Sequence, residues 1–314
     1  MAGGGCQRGG VGKGNVERRE GSETQTGAAA DCPSASLGAT GPRRRKGQRE
    51  TGPGGEVGAR GCWEGDEVMR AAMDPFELRK LYRYLRVVDV CDALDGIGYF
   101  DLTLMSPEVR PLWLGMKFWG VAVTMRCVPA NRPMWKLDTT EEIVDAHGIW
   151  FKEVGWVDVG EHVKPGSVVV MDSGGAKEVG FWGSANSLGI LKAGAVGIVT
   201  DGYARDTAEL ARQKTPVCAR ARGRTIIPGR IEVVEVQTRI GCGGVQVRPG
   251  DMVGCDDDGV VVVPVEVAEE VAVHARAVLL SDMRGRRGLY EKLGMQPDET
   301  VDYEEVEAYY RQFE

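Results

Sequence analysis

The chain has 314 residues, 42% of them hydrophobic, and a formal net charge of -7, which suffices for one large domain or two small ones. The acidic balance argues against a nucleic-acid partner held through phosphate contacts. No apolar run approaches the roughly 20 residues of a membrane span, and no signal-type apolar segment follows the N-terminus, so neither nucleic acid nor a membrane is expected as a partner.

Eight scattered cysteines without a CxxC pair, and only three histidines (His147, His162, His274), offer no spacing for structural zinc. They read as reduced thiols of a cytoplasmic protein. Residues 1–72 are rich in Gly, Arg, Ser and Thr, with Trp63 their only aromatic, and lack helical or strand periodicity. Such a stretch buries too little surface to offset its ordering entropy and reads as a disordered extension. It is either an upstream addition, with the domain starting near Met69 or Met73, or a genuine flexible tail. GGVGKGN (9–15) is no phosphate loop, because Gly14 follows Lys13 and no apolar strand precedes it.

The folded part is expected at 73–290, with a helical extension at 291–314. Leu78, Leu81, Leu85 and Val88 recur at helical spacing and predict a helix over 75–94. A strand follows at 119–127 and a helix at 140–148. SVVVMD (167–172), after the Pro165-Gly166 turn, reads as a buried strand. Residues 184–193 form a helix stopped by Gly194. VGIVTD (196–201) is another buried strand, leading into the loop GYARD (202–206). Short strands are expected near 215–219, 231–236, 245–247 and 252–254, then GVVVVP (259–264), closed by Pro264, and helices near 265–284 and 302–312. This order predicts a mixed α/β domain with two packed sheet layers rather than a simple doubly wound sheet.

Arg205 and Asp206 would lie just past the carboxyl end of a buried strand, where α/β proteins tend to bind ligands. Two readings stand side by side. In the first, Arg205 grips a substrate carboxylate and Asp206 holds a hard cation through one carboxylate. In the second, Asp206-Thr-Ala-Glu209 is an N-cap and Arg205 pairs with Asp206 or Glu209. The amides starting the preceding helix, after Trp182 and Gly183, make an anion site. Among lesser candidates, Asp256, Asp257 and Asp258 read as a hairpin turn. Asp172 ends a strand and could face the pocket, and Lys177 reads as solvated or as an anion-binding aid. His147 reads as exposed, Cys242 and Cys255 as core, and Trp182 as packing at the site rim.

In EVGFWGSANSLGILKAGAVGIVTDGYARDTAEL (178–210), the residues Gly183, Gly194, Gly197, Asp201, Gly202, Arg205, Asp206 and Glu209 fall in register with a known pattern. So do VQVRPGDMVGCDDDGVVVVP (245–264) and VVDVCDALDGIG (87–98). Over roughly 75–285 the chain resembles the RraA-like family, which includes class II 4-hydroxy-4-methyl-2-oxoglutarate/4-carboxy-4-hydroxy-2-oxoadipate aldolases. The resemblance implies an α/β fold of the swivelling β/β/α type, with mixed sheets flanked by helices, and a homotrimer or dimer of trimers. It also implies Mg²⁺ or Mn²⁺ on Asp206, with Arg205 binding the pyruvyl carboxylate of a small oxo-acid. Gly183, Ser184 and the amides near Ala185 and Asn186 would bind the pyruvyl oxygens. The implied reaction cleaves 4-hydroxy-2-oxo dicarboxylic acids to pyruvate and an oxo-acid, with oxaloacetate decarboxylation as a companion. Ser184 departs from the pattern, which has an acidic residue there to hold metal-bound water. Serine still hydrogen-bonds a water but carries no charge, which weakens metal affinity. The rival readings are a non-catalytic protein-binding regulator of the ribonuclease type and a related lyase on another oxyacid. The methyltransferase label sometimes given to such proteins finds no glycine-rich loop here.

Overall fold

The computed structural model describes residues 73–155 and 157–314; the expected 1–72 extension lies outside them. In chain order the elements are α1 (Pro75–Leu78), a 3-10 turn (Arg79–Tyr82), α2 (Val87–Gly96), β1 (Arg110–Pro111), β2 (Phe118–Pro129), α3 (Thr140–Val144) and α4 (Ala146–Val154). Then come β3 (Ser167–Asp172), β4 (Gly180–Trp182), α5 (Ser184–Ala193), β5 (Ala195–Ala204), α6 (Thr207–Arg212), β6 (Val217–Arg222) and β7 (Ile231–Val236). The chain continues with β8 (Ile240–Cys242), β9 (Val245–Val247), β10 (Met252–Asp256), β11 (Gly259–Val263), α7 (Ala268–Leu293) and α8 (Tyr303–Tyr310).

Nine strands form one mixed sheet in the order β1-β6-β5-β3-β2-β10-β11, with β4 joined to β5 and β7 to β2; β8 and β9 make a separate ribbon. The run β2, β3, β5, β6 is parallel, and β10 and β11 are antiparallel additions. The far edges approach each other: Leu104 bridges Val261, and the Arg110 guanidinium donates to the Asp258 carbonyl. The two expected layers are therefore walls of one sheet that curls almost to closure, flanked by helices.

Period-two alternation along the strands sorts side chains into separate cores. Phe118, Ala122, Val168, Val170, Val199 and Val262 face inward and meet the ribbon residues Ile240 and Val247. Val123, Met125, Val169, Met171 and Ile198 face outward under Trp150 of α4, Ile190 of α5 and Leu210 of α6. Trp119, Val121 and Val263 pack outward under α2, α7 and α8. Gly194 ends α5 at φ +115°, as its position predicted. Among the described residues, no helix is long and apolar enough to cross a membrane.

Four expectations change. The helix over 75–94 breaks in two, because Tyr82 and Leu85 turn inward and the Leu85 carbonyl accepts from the Trp119 indole at 2.9 Å. The 140–148 helix becomes α3 and α4. The GYARD loop shrinks to Arg205 and Asp206, because β4, absent from the sequence reading, pairs with Tyr203 and Ala204 and prolongs β5. The last long helix runs on through Gly285 and Gly288 to Leu293, supported by i,i+4 pairs Arg286–Asp282 and Arg287–Glu291 and by Arg284–Glu307 of α8.

Candidate functional site

Pairing of β4 with the end of β5 fixes the site. The Arg205 amide donates to the Trp182 carbonyl at 3.0 Å, so the chain leaving β5 runs beside the start of α5. Gly183 is the N-cap of α5, and helical geometry leaves the amides of Ala185 and Asn186 without intrahelical acceptors. Asp206 takes a left-handed conformation (φ 53°, ψ 37°), which aspartate tolerates better than most residues.

That conformation turns the Asp206 carboxylate away from its own helix: it makes no capping bond to α6. Its Oδ2 instead accepts from the Ser184 amide at 3.1 Å and the Ser184 hydroxyl at 3.3 Å, serving the first amide of α5. Its Oδ1 has Arg205 Nε at 3.7 Å, an ion pair longer than a hydrogen bond. The capping box with Glu209 does not form, while the Arg205–Asp206 pairing does. A Cβ added to Gly183 would fall 2.6 Å from Asp206 Oδ2 and 3.1 Å from Arg205 Nε, so this glycine keeps the space in which the pair stands.

A cavity of about 390 Å³ opens in front of this pair, lined by Gly183, Ala185, Asn186, Arg205 and Asp206 together with Gly180, Phe181, His147 and Phe151. Ser184 reaches it through Asp206. The Asn186 side-chain amide donates to the Phe181 carbonyl at 3.1 Å, so that side chain is already engaged at the cavity wall. The donor set is one carboxylate and one hydroxyl, hard oxygen groups that suit a largely hydrated Mg²⁺ or Mn²⁺ better than a softer ion. Among the described residues, no three His, Cys, Asp or Glu side chains converge on a point. A cation here would have Asp206 as its one carboxylate, with Ser184 positioned for a water.

His147, expected to be merely exposed, lies along the cavity from α4. Burial, and then the nearby Arg205 guanidinium, lower its pKa from the ordinary histidine value. The sequence missed it because helix and loop meet only through the fold, and no local spacing links them. Phe151, one helical turn on, shares that face, and Gly180 and Phe181 come with the unforeseen β4.

Other candidates fall elsewhere. Asp172 does not line the cavity; it accepts the Gly174 amide at 2.8 Å, and burial, with Asp201 nearby, raises its pKa. Lys177 is exposed and outside the cavity. Trp182 packs, but within the core rather than at the rim, edge-on to Phe181 at 4.9 Å. Cys242 and Cys255 are buried inside the curled sheet. Asp256 to Asp258 form the β10–β11 turn, where Asp256 accepts the Val87 amide and Asp257 the Gly115 amide.

Known proteins share this architecture. A protein named "Putative 4-hydroxy-4-methyl-2-oxoglutarate aldolase" from Halalkalibacterium halodurans is 32% identical over 214 residues, 68% of this chain and 88% of its own length. Protein DlpA of Legionella pneumophila is 26% identical over 62% of this chain, which spans only 29% of that larger protein. The crystal structure of Streptomyces coelicolor RraAS2, described as an unusual member of the RNase ES inhibitor RraA protein family, superposes with a TM-score of 0.54 at 26% identity, covering 67% of this chain and 96% of that one. Residues 87–262 match the RraA-like (Aldolase/RraA) family, to which this chain belongs.

Proposed function

We propose that this chain is a divalent-metal-dependent carbon–carbon lyase that cleaves 4-hydroxy-2-oxo dicarboxylic acids to pyruvate and a second oxo-acid, and that also decarboxylates oxaloacetate. One observation carries the reading: Asp206 leaves its own helix uncapped and stands with Arg205 at a cavity that Gly183 keeps open. The Arg205 guanidinium grips the substrate carboxylate, and the Ala185 and Asn186 amides hold the neighbouring oxygens. Phe181 and Phe151 give the cavity an apolar wall. His147, held neutral near pH 7, accepts or returns a proton at an imidazole nitrogen. When bound through Asp206, the cation supplies positive charge opposite the enolate left by bond cleavage.

The relatives named as aldolases support the reaction class. Ser184 favours a second reading, a non-catalytic regulator like the RNase ES inhibitor group, since the site has a single acid for a cation. The test measures pyruvate release from 4-hydroxy-4-methyl-2-oxoglutarate and from oxaloacetate, with Mg²⁺, with Mn²⁺ and with EDTA. The expected result is turnover that EDTA abolishes and that Asp206→Ala lowers about 100-fold. Equal inertness of wild type and variant on both substrates favours the regulator.

A further inference from the structure

A second cavity, of about 450 Å³, is built largely from residues outside the matched 87–262. It is lined by Arg79, Lys80 and Arg83 from the first turns, Lys117 just before β2, Phe118 and Trp119 at its start, and Tyr309 of α8. Four of these side chains are cations and none is an acid. Lys80 has an ion-pair partner, Glu77, on the exposed side of α1. Among the described residues, Arg79, Arg83 and Lys117 have no carboxylate within ion-pair distance, although Arg86 and Arg248 each hold two and Arg284 holds one. In a chain of net charge -7, acids are not scarce, so three unpaired cations around one cavity are a specific arrangement.

Lys80, Arg83 and Lys117 are exposed, yet neighbouring groups orient the cations around the cavity. Arg79 Nη1 reaches the Trp119 carbonyl at 3.5 Å, and its Nε is buried with no hydrogen-bond partner. The Arg83 guanidinium lies over the Tyr309 ring at 5.1 Å and the Tyr84 ring at 5.4 Å. Tyr309 is itself fixed by its hydroxyl on the Lys80 carbonyl at 3.0 Å. Lys117 Nζ donates to the Tyr84 carbonyl at 3.0 Å. Like charges held together repel one another, and an anion between them relieves that repulsion.

We propose that this cavity binds a phosphate-type dianion, free or as the head of a small ester. Arg83 presents a planar fork that matches phosphate oxygens, and Arg79, Lys117 and Lys80 add positive charge beside it. The cavity is larger than inorganic phosphate, and the Tyr309 ring lies beside the cations, so an ester with a flat group uses more of it.

The experiment is calorimetric titration of the full chain, without divalent metal and at low salt, with inorganic phosphate, phenyl phosphate and succinate. Saturable phosphate binding is expected. It should weaken about tenfold in Arg83→Gln and again in Arg83→Gln/Lys117→Gln, be partly restored in Arg83→Lys, and persist in Arg205→Ala, which disables the other anion site. Thermal melts would verify that the variants remain folded. Tighter binding of phenyl phosphate than of phosphate assigns the site to an ester, and equal binding assigns it to free phosphate. The proposal is overturned by an absence of saturation up to about 10 mM, by binding lost in Arg205→Ala, by indifference to the Arg83/Lys117 double variant, or by succinate binding as well as phosphate.

Discussion

Asp206 follows β5, while Asp251 and Asp256 bracket β10, so all three stand at the ends of buried strands. Asp251, 2% exposed, accepts the Arg248 amide at 2.8 Å and the Val265 amide at 3.1 Å, and holds the Arg248 side chain at 3.1 Å. Asp256 accepts the Val87 amide at 2.8 Å and the Asp258 amide at 3.0 Å, tying its hairpin to the start of α2. Asp206 gives one oxygen to Ser184 and keeps the other beside Arg205 at a cavity. The difference lies in the surroundings. Where backbone amides encircle a carboxylate it becomes a pin of the scaffold, and where a glycine clears space before it an oxygen is left for a ligand.

The largest expected effects separate these roles. Asp206→Ala should lower pyruvate release about 100-fold while costing about 1 kcal/mol of stability, for one lost amide contact. Asp251→Ala should do the reverse. It leaves two half-buried amides without their acceptor, although Glu266 still holds the Arg248 guanidinium, and should cost about 2 kcal/mol in urea unfolding, with turnover per folded molecule at the wild-type level. If Asp206→Ala unfolds as readily as Asp251→Ala and keeps its activity, the contrast fails and Asp206 is a pin as well.

A smaller effect is expected at Gly183. Its φ of -102° suits any residue, so Gly183→Ala acts through space alone. The added Cβ pushes Asp206 Oδ2 and Arg205 Nε, both ends of flexible side chains. The expected result is a fall of about tenfold in kcat/KM with a melting temperature close to wild type. Unchanged kinetics would show that the pair need not stand where Gly183 allows it. Ser184→Asp is expected to tighten the apparent Mg²⁺ requirement a few-fold by adding a second carboxylate near Asp206. No change in metal dependence would mean that the serine does not limit the site.

Much of this was legible in the sequence, for reasons that mark the limit. SVVVMD and VGIVTD needed no polar–apolar alternation to be read: a short apolar run between turn signals already defines a buried strand, and both proved central in the sheet. Gly194 and the GVVVV hairpin were equally local. The curling of the sheet was not legible, because closure depends on Leu104 meeting Val261, half the chain away. Nor was β4, a three-residue strand whose existence rests on its partner. The motif around Arg205 and Asp206 was visible, but its orientation was not. A left-handed Asp206 serving α5 in place of α6 is a tertiary outcome. His147 shows the same limit, since only α4 packing beside β4 and β5 brings it to the cavity.

The smallest effect concerns that histidine and tests whether it shares the electrostatics of the Arg205 side of the comparison. Burial and the Arg205 charge both disfavour the imidazolium, with burial the larger cause. The NMR titration midpoint of His147 should therefore lie below the ordinary value of about 6.5. Arg205→Ala should raise it part of the way back, leaving the part due to burial. The unfolded chain then binds more protons at this residue than the folded one as the pH falls from about 6.5 towards the lowered midpoint. The stability it contributes is present above that window and is lost on acidification through it. A His147→Gln variant, which cannot titrate, should unfold with a shallower loss of stability between neutral and mildly acidic pH. A midpoint at or above the ordinary value, or one indifferent to Arg205→Ala, would remove His147 from the electrostatic field of the pair and with it the proton-transfer role.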